Sequence, residues 1–294
     1  LATQMVVEMT SLQGIMGREY ARLSGNPPEV AAAIFEHWLP RFAGDQLPQS
    51  NAGTILAIAD RLDSLAGLFA AGLAPQSNAD PYGLRRAALG VILIVTNKQI
   101  DVDLAQAVEL VAKEQPIPVS AEVQRDVLDF IAGRLRVWIE EQGWPYDIVA
   151  SVLAAQSRNP ARALQGIREL SEWVKHDGWE QILDGFARCV RITRNEKERF
   201  PVDPALFLQP EEGALYAAYQ TAAAKLNPEG GVDEFLTAFA PIIPTISAYF
   251  GTGKNDGVLV NHEDPAIRHN RLGLLQAISA LQAGRADLSH LSGF

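Results

Sequence analysis

The chain has 294 residues with 25 Lys or Arg against 35 Asp or Glu, a formal net charge of −10 and 48% hydrophobic residues. That is apolar material for about two or three compact units, and the acidity excludes a non-specific nucleic-acid coater while leaving room for one basic face. The single cysteine, Cys189, excludes an internal disulfide and a cysteine-based zinc cluster, and no apolar run approaches the roughly 18 residues that span a bilayer.

Met5, Met9, Leu12, Ile15, Met16 and Tyr20 recur at helical intervals over residues 1–23, with a kink or close helix contact expected at Gly14 and Gly17. The chain enters this helical pattern at Leu1 without a cap or a signal-like leader, so a missing N-terminal part is expected. Asn26-Pro27-Pro28 opens a second helix through Ile34 and Phe35 to Trp38, which Pro40 helps to end. After a loop over 41–51, the spacing of Ile55, Ile58, Leu62, Leu65 and Phe69 predicts an amphipathic helix with those five on its apolar stripe. Residues 84–95 read as a buried helix because Arg85-Arg86-Ala87-Ala88 precedes the VILIV run at 91–95, for which a strand is the alternative. Pro116 and Pro118 mark a domain boundary.

Ser120 opens a helix whose apolar side is Val123, Val127, Phe130, Ile131, Leu135 and Trp138, followed by Gly143. Shorter helices are predicted over 146–156, 160–175 and 178–193. An irregular connector with Pro201, Pro204 and Pro210 leads to helices marked by Leu215, Tyr219, Ala222 and Leu226, and by Phe235, Phe239, Ile242 and Ile246. A last helix starts at the Glu263-Asp264-Pro265 corner, with Pro in the first turn and carboxylates against the positive end of the helix dipole. It carries Arg268 and Arg271 on one side and Ile267, Leu274, Leu275, Ile278 and Leu281 on the other. With no period-2 pattern anywhere, the fold class is all-α.

His37 with Asp45 and Asp60 is a His-plus-carboxylate set that could meet around a metal, although Asp60 and Asp63 beside Arg61 equally suit surface ion pairs. Arg85 and Arg86 follow Asp80-Pro81 at a helix start, where planar guanidinium forks fit phosphate oxygens or simply face solvent. Arg188, Arg191, Arg194, Lys197 and Arg199 outnumber Glu196 and Glu198, and the first three continue one helix face, as either backbone-phosphate contacts or a solvated face would. No G-x-S-x-G elbow, P-loop or G-x-G-x-x-G is present, so the chain reads as non-catalytic.

SLQGIMGREYA (11–21), AIFEHWLPRFAGDQLP (33–48), LAIADRLDSLAGLF (56–69), DPYGLRRAALG (80–90) and VLVNHEDPAIRHNRLGLL (258–275) together resemble the β subunit of the bacterial-type heterotetrameric glycyl-tRNA synthetase, in order and over nearly the whole chain. The resemblance implies the C-terminal part of that subunit: an HD-like helical domain over 1–115, truncated at its N-terminus, an intervening helical segment over 116–180, and a DALR-type helical-bundle anticodon-binding domain over 181–294. Asp264, Ala266, Ile267 and Arg268 with Asn270-Arg271-Leu272 match the DALR signature, Ile267 standing for the commoner Leu and Gly273 for Ala. The His-Asp dyad of HD hydrolases is missing. His37, Asp45 and Asp60 are left as degenerate candidates for its metal site, and no metal or cofactor is expected in this chain.

The family further implies that ATP- and Mg-dependent glycine activation belongs to a separate α subunit, while β holds tRNA(Gly) and completes the α2β2 enzyme. Arg188, Arg191 and Arg194 are then the expected tRNA contacts, Arg268 and Arg271 lesser ones, and Arg85 and Arg86 the contacts of the HD-like part. Arg268 is alternatively a structural partner of Glu263 or Asp264. The expected setting is a bacterial cytoplasm or a plastid stroma. The rival functions are an HD-type phosphohydrolase and a purely structural subunit that docks α.

Overall fold

Capping groups and glycines set most helix boundaries in the computed structural model, which describes residues 3–76, 79–251 and 257–294. Among the described residues the regular structure is helical, without a strand, and no helix is long and apolar enough to cross a membrane. The chain forms two units, one running to Gly143 and including Ser157–Leu164, the other holding Trp144–Gln156 and Gln165–Phe294.

In the first unit the predicted opening helix is broken rather than kinked. Helix α1 (Gln4–Glu8) and α2 (Ile15–Leu23) are separated at Gly14, whose φ of 79° disfavours any side chain. Gly17 is the close contact: a Cβ there would come 2.8 Å from Ile34 of α3 (Pro28–Glu36). Helix α4 (Asn51–Ala70) starts at Ser50, whose hydroxyl accepts from the Gly53 N–H at 2.9 Å while its own N–H donates to Glu36 Oε2 at 3.0 Å. Its fully covered positions are Ala57, Leu62, Leu65 and Ala66, and Ile55, expected on that stripe, is 68% exposed. The helix packs against α3 and also against the next helix, α5 (Leu84–Asn97), so small residues mark its closest approaches and the buried arc departs from the most hydrophobic one.

The VILIV run is helical and buried within α5. Helix α6 (Leu104–Glu114), capped by Asp103 accepting from the Ala105 N–H at 2.8 Å, was not legible from apolar spacing, because only Leu104 and Val108 are buried in it. Residues 115–120 turn the chain into α7 (Ala121–Glu140), where Ser120 accepts from the Val123 N–H and Val127, Ile131, Leu135 and Ile139 form the buried i,i+4 row against α4, α5 and α6.

The second unit contains α8 (Tyr146–Gln156), α9 (Pro160–Trp173, its first residues counted with the first unit), α10 (Trp179–Thr193), α11 (Pro210–Ala223), α12 (Val232–Phe239), α13 (Ile243–Phe250) and α14 (Pro265–Ser279). Its core is aromatic: Phe186 of α10 meets Phe239 and Phe235 of α12 edge-on, with ring centres 5.3 and 6.0 Å apart. Helix α10 packs on α13 and α14, and α11 on the same two helices, so α14 lies between the basic helix and the capped start of α11.

Candidate nucleic-acid interface

Helix α14 is the element around which the basic residues are arranged. Asp264 caps it by accepting from the Ala266 N–H at 2.8 Å, and the Asp264 N–H donates to His262 Nδ1 at 3.0 Å. Beyond the cap, three polar side chains point inward instead of outward: Asn270, Arg271 and Gln276, all buried. Asn270 accepts from the Asp203 N–H at 2.6 Å and donates to the Asp203 carbonyl at 3.0 Å. Gln276 accepts from the Phe200 N–H at 3.1 Å and donates to the Glu198 carbonyl at 2.8 Å. Between these two amides stands Gly273, where a Cβ would lie 2.6 Å from the Phe200 carbonyl oxygen. The connector 198–203 is thereby strapped along α14 through its own backbone, and Phe200 stacks on His269 with ring centres 4.3 Å apart and planes 4° from parallel.

The two signature arginines part company. Arg271, expected as a phosphate contact, is 3% exposed. Its Nε and Nη2 donate to Glu212 at 2.8 and 3.2 Å, and its Nη1 donates to the Leu259 carbonyl at 2.7 Å. Glu212 also accepts the Leu208 and Gln209 N–H groups, each at 2.8 Å, and so closes the start of α11. Burial pushes the Glu212 carboxyl upward, but the Arg271 guanidinium and the two amides outweigh it and hold it below its ordinary range. With its donors committed inside the unit, Arg271 is a structural residue. Arg268 pairs with Glu196 at 2.9 Å rather than with the Glu263-Asp264 corner, which ties α14 to the chain just beyond α10.

Along α10 and the strap the cations stay outward. Arg188 pairs with Asp184 at 2.8 Å, and Arg191 lies over the Phe294 ring, 5.6 Å from its centre. Arg194, Lys197 and Arg199 are exposed and have no carboxylate partner among the described residues. The structure therefore brings Arg188, Arg191 and Arg194 onto one helix and its end, with Lys197, Arg199 and Arg268 beside them. Cys189, on the same helix, faces the core, and burial pushes its thiol up to about 12.

In the first unit, the Asp80 carboxylate accepts the Leu84 and Arg85 N–H groups at 2.8 and 3.0 Å and so occupies the start of α5. Arg85 leans back onto the Ala79 carbonyl at 3.3 Å, whereas Arg86 is exposed at the edge of a cleft of about 560 Å³ that Asp60, Arg61 and Tyr82 also line. The proposed metal set does not assemble. His37 is buried with Nδ1–H donating to the Ile34 carbonyl at 2.6 Å, and Arg41 grips Asp45 at 2.7 and 2.9 Å and holds its carboxyl well below the usual range. Among the described residues no three His, Cys, Asp or Glu side chains converge. Asp60 alone reaches the cleft.

Glu212, Gln276 and Arg61 carry roles that the sequence does not assign, and Asn270, read there only as a signature position, is a fourth. Only Glu212 carried a local signal, three residues after the position before Pro210, where a capping carboxylate belongs. The other three act on backbone groups distant in sequence.

A sequence model described as the glycyl-tRNA synthetase beta subunit matches residues 1–154. The chain is 38% identical over 297 residues to the glycine–tRNA ligase beta subunit of Syntrophus aciditrophicus (strain SB), covering 99% of the chain and 42% of that protein. It is 36% identical over 296 residues to the glycine–tRNA ligase, chloroplastic/mitochondrial 2, of Arabidopsis thaliana, covering 100% of the chain and 27% of that protein. The beta subunit from Haemophilus influenzae (strain PittEE) is 35% identical over 299 residues. The chain thus spans less than half the length of these relatives.

Proposed function

The chain belongs to the glycyl-tRNA synthetase β-subunit family, and on that premise we propose that it is the tRNA-binding part of a glycine–tRNA ligase β subunit. Residues 1–115, within the first unit, are its HD-like domain, and residues 181–294, within the second, its DALR-type anticodon-binding domain, with the helical segment 116–180 between them in sequence. Attachment of glycine to tRNA(Gly), with its ATP and Mg, takes place in the α subunit, and β supplies the grip on the RNA. The observation that carries this reading is the set of cations Arg194, Lys197 and Arg199, without a carboxylate partner among the described residues and continuing Arg188 and Arg191 of α10, in a chain whose net charge is −10. Guanidinium and ammonium groups left without carboxylates, from the end of α10 to the strap that α14 holds, are placed for phosphate oxygens, which position an RNA without reading its bases. Arg268 joins them only at the cost of Glu196. Arg271 supports the interface from inside. Arg86 offers a separate RNA contact in the HD-like unit, with Arg85 beside it.

The test is a filter-binding titration of tRNA(Gly) over a range of salt concentrations, with the protein and with a variant carrying Arg188→Ala, Arg191→Ala and Arg194→Ala. Binding should weaken, and the slope of log affinity on log salt should flatten by about 0.7–0.9 for each phosphate contact removed. Equal affinity and an equal slope would refute the assignment.

A further inference from the structure

We infer that the cleft of the first unit is a binding site for a single nucleotide, with its phosphate at Arg86 and its base against Tyr82.

The argument begins with Arg61, which is 7% exposed. Its two terminal nitrogens donate to the carbonyls of His37 and Ala57, and of Trp38, Leu39 and Pro40. Gly90 leaves the room through which the side chain passes, since a Cβ there would sit 2.3 Å from Arg61 Nε. Carbonyls satisfy the donors but do not neutralise the charge. No carboxylate pairs with this guanidinium among the described residues, and burial lowers its pKa against a smaller opposing pull from Asp60. A desolvated, uncompensated cation is costly, and it projects a field into any concavity it lines. Arg86, exposed on the same cleft and equally without a carboxylate partner, adds a second positive charge whose planar donors are free. Arg41 lines the cleft too, but Asp45 already neutralises it.

The wall is not uniformly basic. Asp60 is the opposing carboxylate, so a bare anion meets repulsion there, whereas a ribose hydroxyl or an exocyclic amine meets an acceptor. Tyr82, 53% exposed, and Trp38 both line the same cleft, so it has aromatic residues in its wall. Aromatic faces of this kind stack on any base. A volume of about 560 Å³ falls in the range of small-molecule sites, roughly 300–1,000 Å³. Anion, hydroxyl and flat ring together describe a nucleotide better than they describe phosphate alone.

Two sources offer this chemistry, a free mononucleotide and one residue of a single-stranded RNA; only the second rests on the tRNA reading. Equilibrium binding of AMP, CMP, inorganic phosphate and a single-stranded tetraribonucleotide separates them. The mononucleotides should bind about tenfold or more tighter than inorganic phosphate. Arg86→Ala should weaken nucleotide binding about tenfold, and Tyr82→Leu should weaken the nucleotides but not phosphate. Asp60→Asn should weaken the nucleotides and strengthen phosphate. A tetranucleotide that outbinds AMP and depends on Arg86 identifies RNA as the source, and one that binds no better than AMP identifies the free nucleotide. The inference is overturned if neither AMP nor CMP binds, if phosphate binds as tightly as they do, or if Arg86→Ala leaves them unchanged. All three altered side chains are exposed, so folding is not at stake. The tRNA titration reports on α10, so either reading can fail without the other.

Discussion

Arg271 and Arg194 show how differently one residue type is used within a single unit. Breaking a buried ion pair strands the remaining charge, so Arg271→Ala should cost about 3–5 kcal/mol in denaturant unfolding, whereas Arg194→Ala should stay within about 0.5 kcal/mol. If the two cost the same, the Glu212 pairing does not hold the unit. Glu212 also has a pH signature. Its carboxyl titrates below its ordinary value in the folded protein, so its stabilisation is complete above the ordinary carboxylate pKa and fades as pH falls through the folded one. The stability gap between the protein and Glu212→Gln should therefore be widest near neutrality and close below about pH 4. A gap that ignores pH would show that the charge contributes nothing. At Gly273 the obstacle to a side chain is a backbone carbonyl 2.6 Å away, which cannot swing aside. Gly273→Ala should lower stability by about 1–3 kcal/mol, even though Ala favours a helix.

At the scale of elements, capping chemistry is local, and Ser120 and Asp264, the helix starts expected from sequence, accept the N–H groups of Val123 and Ala266. Ser50 and Asp103, for which no cap was expected, do the same for Gly53 and Ala105. The faces of helices read out less well. Ile55 is exposed because the neighbours of α4 bury its small residues, and α6 went unseen because it contributes little apolar surface. The connector 198–203 has no regular structure, yet the side chains of Asn270 and Gln276 satisfy its amides as a sheet neighbour would. Replacing both with Ala should speed amide exchange of Phe200 and Asp203 well beyond the change in the core of α10, as hydrogen-exchange mass spectrometry would resolve. Uniform acceleration across the unit would mean that the strap and the core open together.

For the whole molecule, an overall charge of −10 coexists with a cationic segment because, of the acidic residues near that segment, several are engaged inside the unit, although the Glu198 carboxylate stays exposed. Asp184 and Glu196 each hold one arginine, while Glu212 lies wholly inside. Cys189 offers a probe of the second unit as a whole. Its buried thiol, raised to about 12, should resist an aromatic disulfide reagent in native buffer and react across the urea unfolding transition of that unit. Rapid labelling without denaturant would contradict the packing described for α10.

Sequence by itself determined the all-α class, the order of nearly all the helices, the caps at Ser120 and Asp264 and the family, because periodicity and capping depend on residues within a turn of one another. Only the tertiary structure decided which arginines are available. Arg271 is withdrawn by a carboxylate 59 positions away, Arg268 by one 72 positions away, and Arg61 by carbonyls 21 to 24 positions away. A guanidinium is the same group at each position. Whether it grips an RNA or closes a core depends on what the fold brings beside it.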